Sequence, residues 1–198
     1  EPFSVAYNGI QGMGGVNGGD VVVVIGGGTI GLCAVAAAKA MGAGVILIEP
    51  MEYRRKIAEK LDADAAVDPT AEDAVAKVKE LTNGFGADLV IECSGSAAGC
   101  ETAFDYARNG GRVSFVGINV GMQQTLEMGK IQAKGLTIKG FIGSPNCWQK
   151  VIDFLDRTRL DLSPISTHQF KFKDVDEAYK FARNIRENEL VKVTVEMD

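Results

Sequence analysis

The 198-residue chain carries 21 Lys and Arg against 26 Asp and Glu, a formal charge of −5, with 46% hydrophobic and 24% charged residues. That size suits one well-buried domain, or one domain with an appendage, of ordinary globular composition. The acidic balance argues against a nucleic-acid partner, which needs clustered Lys and Arg. The longest apolar stretch, Ile30 to Ile48, is broken by Lys39 and three glycines, so no membrane span is expected.

The chain opens on Glu1, already inside a helical pattern, because Phe3, Ala6, Ile10 and Met13 share one stripe. An opening of that kind reads as the start of a fragment. Five β-branched residues, Val21 to Ile25, predict a strand buried on both faces. An Ala-rich helix over Thr29 to Met41 ends on Gly42 as its cap, and a second buried strand covers Val45 to Ile48. Glu52 to Leu61 reads as a solvent-facing amphipathic helix, Ala65 to Val67 as a short strand, and Asp68-Pro69-Thr70 as the start of a helix running to about Leu81.

The alternation continues with a strand at Asp88 to Cys93, a helix at Ser96 to Arg108 and a strand at Arg112 to Val116. A short helix over Met128 to Ala133, a strand over Leu136 to Phe141 and a helix over Asn146 to Arg157 complete the series. Parallel strands need crossover helices, so strand–helix alternation predicts an α/β fold with a doubly wound parallel six-stranded sheet in the order 3-2-1-4-5-6. Beyond Leu160 the pattern changes. "ISTHQFKF" reads as a strand, Asp174 and Glu177 as a capping pair for a helix with Val175, Ala178, Ala182 and Ile185 on its stripe. "VKVTVEM" alternates, with Val191, Val193, Val195 and Met197 on one face. The expected division is a linking helix at 1–17, a nucleotide-binding domain at 18–160 and a C-terminal strand–helix–strand at 161–198.

Gly26, Gly28 and Gly31 follow the first strand and open a helix. In that setting the first glycine permits the tight turn, the second lets backbone approach a pyrophosphate, and the third lets helix pack on strand. The free N–H groups around Thr29 and Ile30, with the helix dipole behind them, favour phosphate. Glu49 ends the next strand 18 residues past Gly31, where a carboxylate accepts both hydroxyls of an adenosine ribose. It also repels a 2′-phosphate, so NAD is expected over NADP. Arg54 and Arg55, just beyond, would weaken that preference if either turned toward the site.

The ordered set "VVVVIGGGTIGL", "ILIEP", "GADLVIECSG", "NGGRVSFVGI" and "LTIKGFIGSP" resembles the cofactor domain of zinc-dependent medium-chain alcohol and polyol dehydrogenases, in the branch of sorbitol, butanediol and threonine dehydrogenases. The resemblance covers nearly the whole chain and implies a Rossmann fold. By position it implies that Cys93, Ser94 and Gly95 line the ribose side of the cleft. It likewise implies that Val116, Gly117 and Ile118 hold the nicotinamide, and that Phe141 and Gly143 offer backbone near its carboxamide. It further implies zinc as Lewis acid on an alcohol, held mostly by a separate GroES-like catalytic domain to which the chain's ends belong. Glu1 matches a position whose side chain faces that zinc, although a carboxylate before Pro2 also simply complements a helix dipole. A homodimer or homotetramer is implied as well, joined through the last strand of the sheet.

His168, the only histidine, falls in a strand outside the cofactor sheet and is expected to be structural, as are Trp148 and Tyr179. Cys33, Cys93, Cys100 and Cys147 form no C-x-x-C pair and read as the reduced thiols of a cytoplasmic protein. Two other functions fit the nucleotide motif: a zinc-free NADPH-dependent reductase, against which Glu49 argues, and a non-catalytic regulatory NAD-binding module.

Overall fold

The computed structural model describes residues 1–121 and 123–197. A six-stranded parallel sheet runs in the order β3-β2-β1-β4-β5-β6. Its strands are β1 (Val21–Ile25), β2 (Gly44–Ile48), β3 (Ala65–Val67), β4 (Ala87–Glu92), β5 (Ala107–Phe115) and β6 (Thr137–Gly140). The helices around it are α1 (Pro2–Gln11), α2 (Thr29–Ala40), α3 (Glu52–Lys60), α4 (Ala74–Leu81), α5 (Ala97–Tyr106), α6 (Gly129–Lys134) and α7 (Trp148–Thr158). A second, two-stranded parallel sheet pairs β7 (His168–Lys171) with β8 (Val193–Glu196), with α8 (Val175–Ala182) between them.

The period-two geometry of the strands sorts the core into two layers. Val22, Val24, Val45, Leu47, Leu89 and Ile91 face one layer with α1, α2, α3 and α7. Val23, Ile25, Ile46, Ile48 and Val90 face the other, with Ala74, Val78, Ala103, Phe104 and Tyr106 of α4 and α5. This is why the central strands read as unbroken apolar runs. The α1 stripe is as expected: Phe3, Ala6, Ile10 and Met13 are all buried in the first layer. Polar contacts fix α1 and the turn after it, because Ser114 Oγ donates to Gly9 O at 3.1 Å and Arg112 Nη1 to Gly15 O at 2.6 Å.

Several boundaries differ from the expected ones. Helix α4 starts at Ala74, because Asp68 spends its carboxylate on the N–H and hydroxyl of Thr70 while Asp73 caps the helix by accepting from Ala76 N. Helix α5 stops at Tyr106 and β5 begins at Ala107, five residues before Arg112, since Ala107 pairs with Ala87 across a register shift. Helix α8 ends at Ala182, leaving Ile185 outside it and 44% exposed. Asp174 holds the N-cap position of α8 but makes no capping hydrogen bond, so the expected capping pair with Glu177 is not formed. Trp148 and Tyr179 are exposed rather than packed.

Candidate nucleotide site

The sheet register places the predicted site residues in one row. Ile25 lies beside Ile48 and Glu92, Glu92 beside Phe115, and Phe115 beside Gly140. The next residue of each strand is therefore Gly26, Glu49, Cys93, Val116 or Phe141, all at the carboxyl edge. Ladder bonds continue into this row: Gly26 N donates to Ile48 O at 2.8 Å, Cys93 N to Ile25 O at 2.9 Å and Val116 N to Glu92 O at 2.8 Å. The strand order reverses between β1 and β4, which is where open α/β sheets bind ligands.

The three motif glycines sit in three different settings. Gly26 sits at φ +94°, a conformation L side chains rarely adopt, and a Cβ there would meet Ser94. A Cβ on Gly31 would lie 1.8 Å from Gly26 O, so turn and helix touch backbone to backbone. Gly28, the N-cap of α2 at φ −72°, has nothing within 4 Å of such a Cβ. The open space lies where Thr29 and Ile30 begin α2 and present unspent N–H groups.

Glu49 is buried, at 3% exposure. Its Oε2 accepts from Gly27 N at 2.5 Å and its Oε1 from Met51 N at 2.9 Å. The carboxylate thus bridges the glycine turn to the start of α3. Of the two arginines just beyond it, Arg54 does stand beside the carboxylate: its Nη1 lies 3.8 Å from Glu49 Oε2. Arg54 is held in place by its neighbours, with Nε donating to Tyr53 Oη at 3.0 Å and Nη2 to Leu190 O at 3.4 Å. Arg55 turns away, to Glu49 O, Pro50 O and the Asp68 carboxylate.

On the other side of the reversal, Ser94 is exposed, while Gly95, at φ +62°, is buried against Ile118. A Cβ on Gly117 would stand 2.3 Å from Gly95 N, so the ends of β4 and β5 approach as closely as backbone allows. Ile118 is exposed. The side chains of Val116 and Phe141 point to α1 instead of the cleft: Val116 packs at Gly9 and Phe141 at Gly12. Gly143 O accepts from Asn8 Nδ2 at 3.1 Å, so this stretch can offer only its remaining backbone groups. Cys93 is half-buried, and burial, the Glu92 charge and Cys33 push its thiol well above the usual range. Burial likewise pushes Cys33 up to about 12, so neither is a nucleophile at neutral pH.

Two contributors escaped the sequence reading. Gly27 is pinned between Glu49 and Arg54, with its would-be Cβ 3.0 Å from Glu49 Cγ. Glu92 is fully buried at the end of β4 and accepts from Ser94 N at 2.8 Å, from Gly95 N at 3.0 Å and from the Ser94 hydroxyl. The available signal was an acid closing the apolar run "LVIE".

The C-terminal segment reaches the same site. Thr29 Oγ1 donates to Val191 O at 3.0 Å and Tyr53 Oη to Leu190 O at 3.2 Å. His168 lies in β7 as expected, its ring 4.6 Å from that of Phe181, and lines a cavity between α3 and the C-terminal unit, away from the row.

The residues fit a dinucleotide: an open glycine turn at a helix start and a buried carboxylate one strand away. They do not fit a zinc site. Among the described residues no three His, Cys, Asp or Glu side chains converge, and Glu1 is exposed with no side-chain capping bond. No helix among them is long and apolar enough to cross a membrane.

A reversing parallel sheet with this turn and this acid defines the dinucleotide-binding class of α/β domains. The profile of the family described as zinc-binding dehydrogenase matches residues 29–157, and the chain belongs to that family. It is 37% identical to L-threonine 3-dehydrogenase of Bacillus subtilis (strain 168) over 84% of the chain and 49% of that relative. It is 31% identical to sorbitol dehydrogenase of Halalkalibacterium halodurans over 98% of the chain and 56% of that relative. The structure of 2R,3R-butanediol dehydrogenase from Bacillus subtilis superposes with a TM-score of 0.89 at 28% identity, covering 100% of the chain and 56% of its own. A structure from Sinorhizobium meliloti 1021 described as a zinc-binding dehydrogenase bound to NADP gives 0.88 at 29% identity, covering 98% and 57%. The chain thus spans about half the length of the curated relatives it matches.

Proposed function

We propose that this chain is the NAD-binding part of a zinc-dependent dehydrogenase that passes a hydride between a secondary alcohol or polyol and NAD. The buried Glu49 carboxylate beside the Gly26–Gly31 turn carries the reading, together with the family assignment. Bound NAD would supply a nicotinamide ring as hydride acceptor. The N–H groups opening α2 would hold its pyrophosphate, with Gly28 giving backbone access. Glu49 would accept from the ribose hydroxyls. The ends of β4 and β5, at Ser94–Gly95 and Val116–Ile118, would floor the nicotinamide side and keep water from it.

The metal ligands would lie in sequence outside these 198 residues, as the relatives' length and the lack of a ligand set among the described residues both suggest. Glu1 would face that metal, and the segments 1–17 and 161–198 would pack against the domain that holds it. The exposed Val195 in β8 and Met197 just past it support this, because that end of the expected apolar face is left open. The outer edge of β6 would join two copies, since it ends the sheet and is followed by the exposed Ile142. A soluble cytoplasmic setting goes with these roles.

Calorimetric titration of the chain with NAD and NADP tests the reading. Binding of NAD, tighter than of NADP, with no alcohol-dependent NADH production, is the expected result. Absence of dinucleotide binding by the folded chain refutes it, and alcohol oxidation by the 198 residues alone refutes the placement of the chemistry elsewhere.

A further inference from the structure

Two helices begin at the strand-order reversal, on opposite faces of the sheet. Helix α2 opens at Gly28 into free space, whereas α5 opens at Ser96 over a fully buried carboxylate. Both starts offer N–H groups and the positive end of a helix dipole, so both attract an anion. At α5 the Ser96 hydroxyl oxygen caps the helix by accepting from Gly99 N at 3.0 Å, and the turn just before it holds an anion of the protein's own. Glu92 Oε1 takes the N–H groups of Ser94 and Gly95 and the Ser94 hydroxyl, and Oε2 shares the Gly95 N–H at 3.1 Å. Nothing larger fits, because a Cβ on Gly117 would come within 2.5 Å of Oε2 and one on Gly99 within 2.9 Å of Oε1. The carbonyl of Glu92 meanwhile accepts from Val116 N and Gly117 N at 2.8 Å each. One residue therefore binds the turn after β4 with its side chain and the end of β5 with its backbone.

We infer that Glu92 is a positioning residue: its carboxylate is the built-in anion of the nest in the turn between β4 and α5, and it fixes the cleft floor at Gly95 and Gly117. The inference rests on the dinucleotide reading for its consequence, though not for the nest itself. It differs from a filling role, in which any side chain of the right volume would serve. It also differs from a proton-carrying role, since the carboxylate faces backbone donors at 0% exposure.

Chemical rescue separates these roles. Glu92→Ala is expected to fold with a lowered melting temperature and to bind NAD at least tenfold more weakly. Formate should then raise its melting temperature and recover NAD affinity. Formamide, of the same shape but neutral, should do neither, and the native chain should respond to neither. Equal rescue by both molecules, or NAD affinity within twofold of native in folded Glu92→Ala, overturns the inference. If Glu92→Ala does not fold, the near-isosteric Glu92→Gln decides: weakened NAD binding supports the charge-based role and native binding refutes it. If the native chain binds no dinucleotide, the proposed function falls, while the formate-against-formamide difference in melting still decides the nest. For that arm, a melting shift with formate alone supports it and no difference refutes it.

Discussion

Exchanging the glycines of the turn for alanine, one at a time, should separate folding from binding. At Gly31 the new Cβ would lie 1.8 Å from Gly26 O. Relieving that contact requires a displacement on the order of 1.5 Å, given carbon contact distances of about 3.5 Å. Helix α2 has nowhere to go, because Leu32, Ala34, Val35, Ala36, Ala37 and Ala38 are all at 0% exposure. The cost should reach the upper end for overpacking, about 3 kcal/mol. With urea slopes of roughly 2 kcal/mol per molar, the unfolding midpoint should fall by roughly 1.5 M. Gly28→Ala meets nothing within 4 Å and keeps an accessible φ of −72°. Losing glycine at an N-cap costs about 1 kcal/mol or less. Its methyl group, however, would occupy the space proposed for pyrophosphate, and NAD affinity should drop at least about tenfold, or about 1.4 kcal/mol. Urea melts and calorimetry on both variants provide the check. A Gly31→Ala midpoint equal to native, or a Gly28→Ala chain that binds NAD within twofold of native, would refute the division of labour.

Glu49→Ser should narrow the preference for NAD over NADP by about 1–3 kcal/mol, the scale of a lost buried polar contact, and parallel titrations that show no change would count against the ribose role. Sedimentation should find a dimer formed through β6; a folded sample that stays monomeric across a concentration series would sink that interface. Asp64 is pushed up by burial, but the Val45 N–H and the Lys39 ammonium outweigh this and hold its carboxyl below the ordinary range. A folded-state value below the unfolded one, about 3.9, contributes stability that is present above that pH and lost as pH falls through the folded value. Asp64→Asn should therefore flatten the acid limb of the urea midpoint, and an unchanged slope would contradict the assignment.

The parts of the fold that local chemistry decides were readable from residues alone. Strand order followed from the alternation, and the motif glycines from their place between an apolar strand and an Ala-rich helix. Contacts between distant segments were not readable. The early start of β5 depends on Ala107 finding Ala87, and nothing near Ala107 announces that pairing. Helix α4 was misplaced because two aspartates competed for one cap, and Asp68 is diverted by a hydroxyl two residues on. Glu92 was overlooked because an acid at a strand end reads as solvent-facing until its three donors are known. Burial of Val116 and Phe141 against α1 depends on glycines at positions 9 and 12, more than a hundred residues away.

Arg54 looks at first like a reason to expect NADP, because a guanidinium near Glu49 could receive a 2′-phosphate. Its bonds argue otherwise. The Nε is spent on Tyr53 Oη and Nη2 on Leu190 O, while the group lies 5.5 Å from the Tyr53 ring centre. Turning it toward a phosphate would break these contacts and loosen the segment at Leu190 that Tyr53 also holds. Its remaining nitrogen, Nη1, stands 3.8 Å from the Glu49 carboxylate, so part of its charge is already answered. A 2′-phosphate carries up to about two negative charges and would meet the buried carboxylate at close range, with one tethered cation to offset both. A ribose with both hydroxyls free asks less: it need only displace Gly27 N–H from Glu49 Oε2 and leave Arg54 where it is. On the proposed reading the arrangement would favour NAD because Arg54 is committed elsewhere, and freeing it by Tyr53→Phe should erode that preference in parallel NAD and NADP titrations.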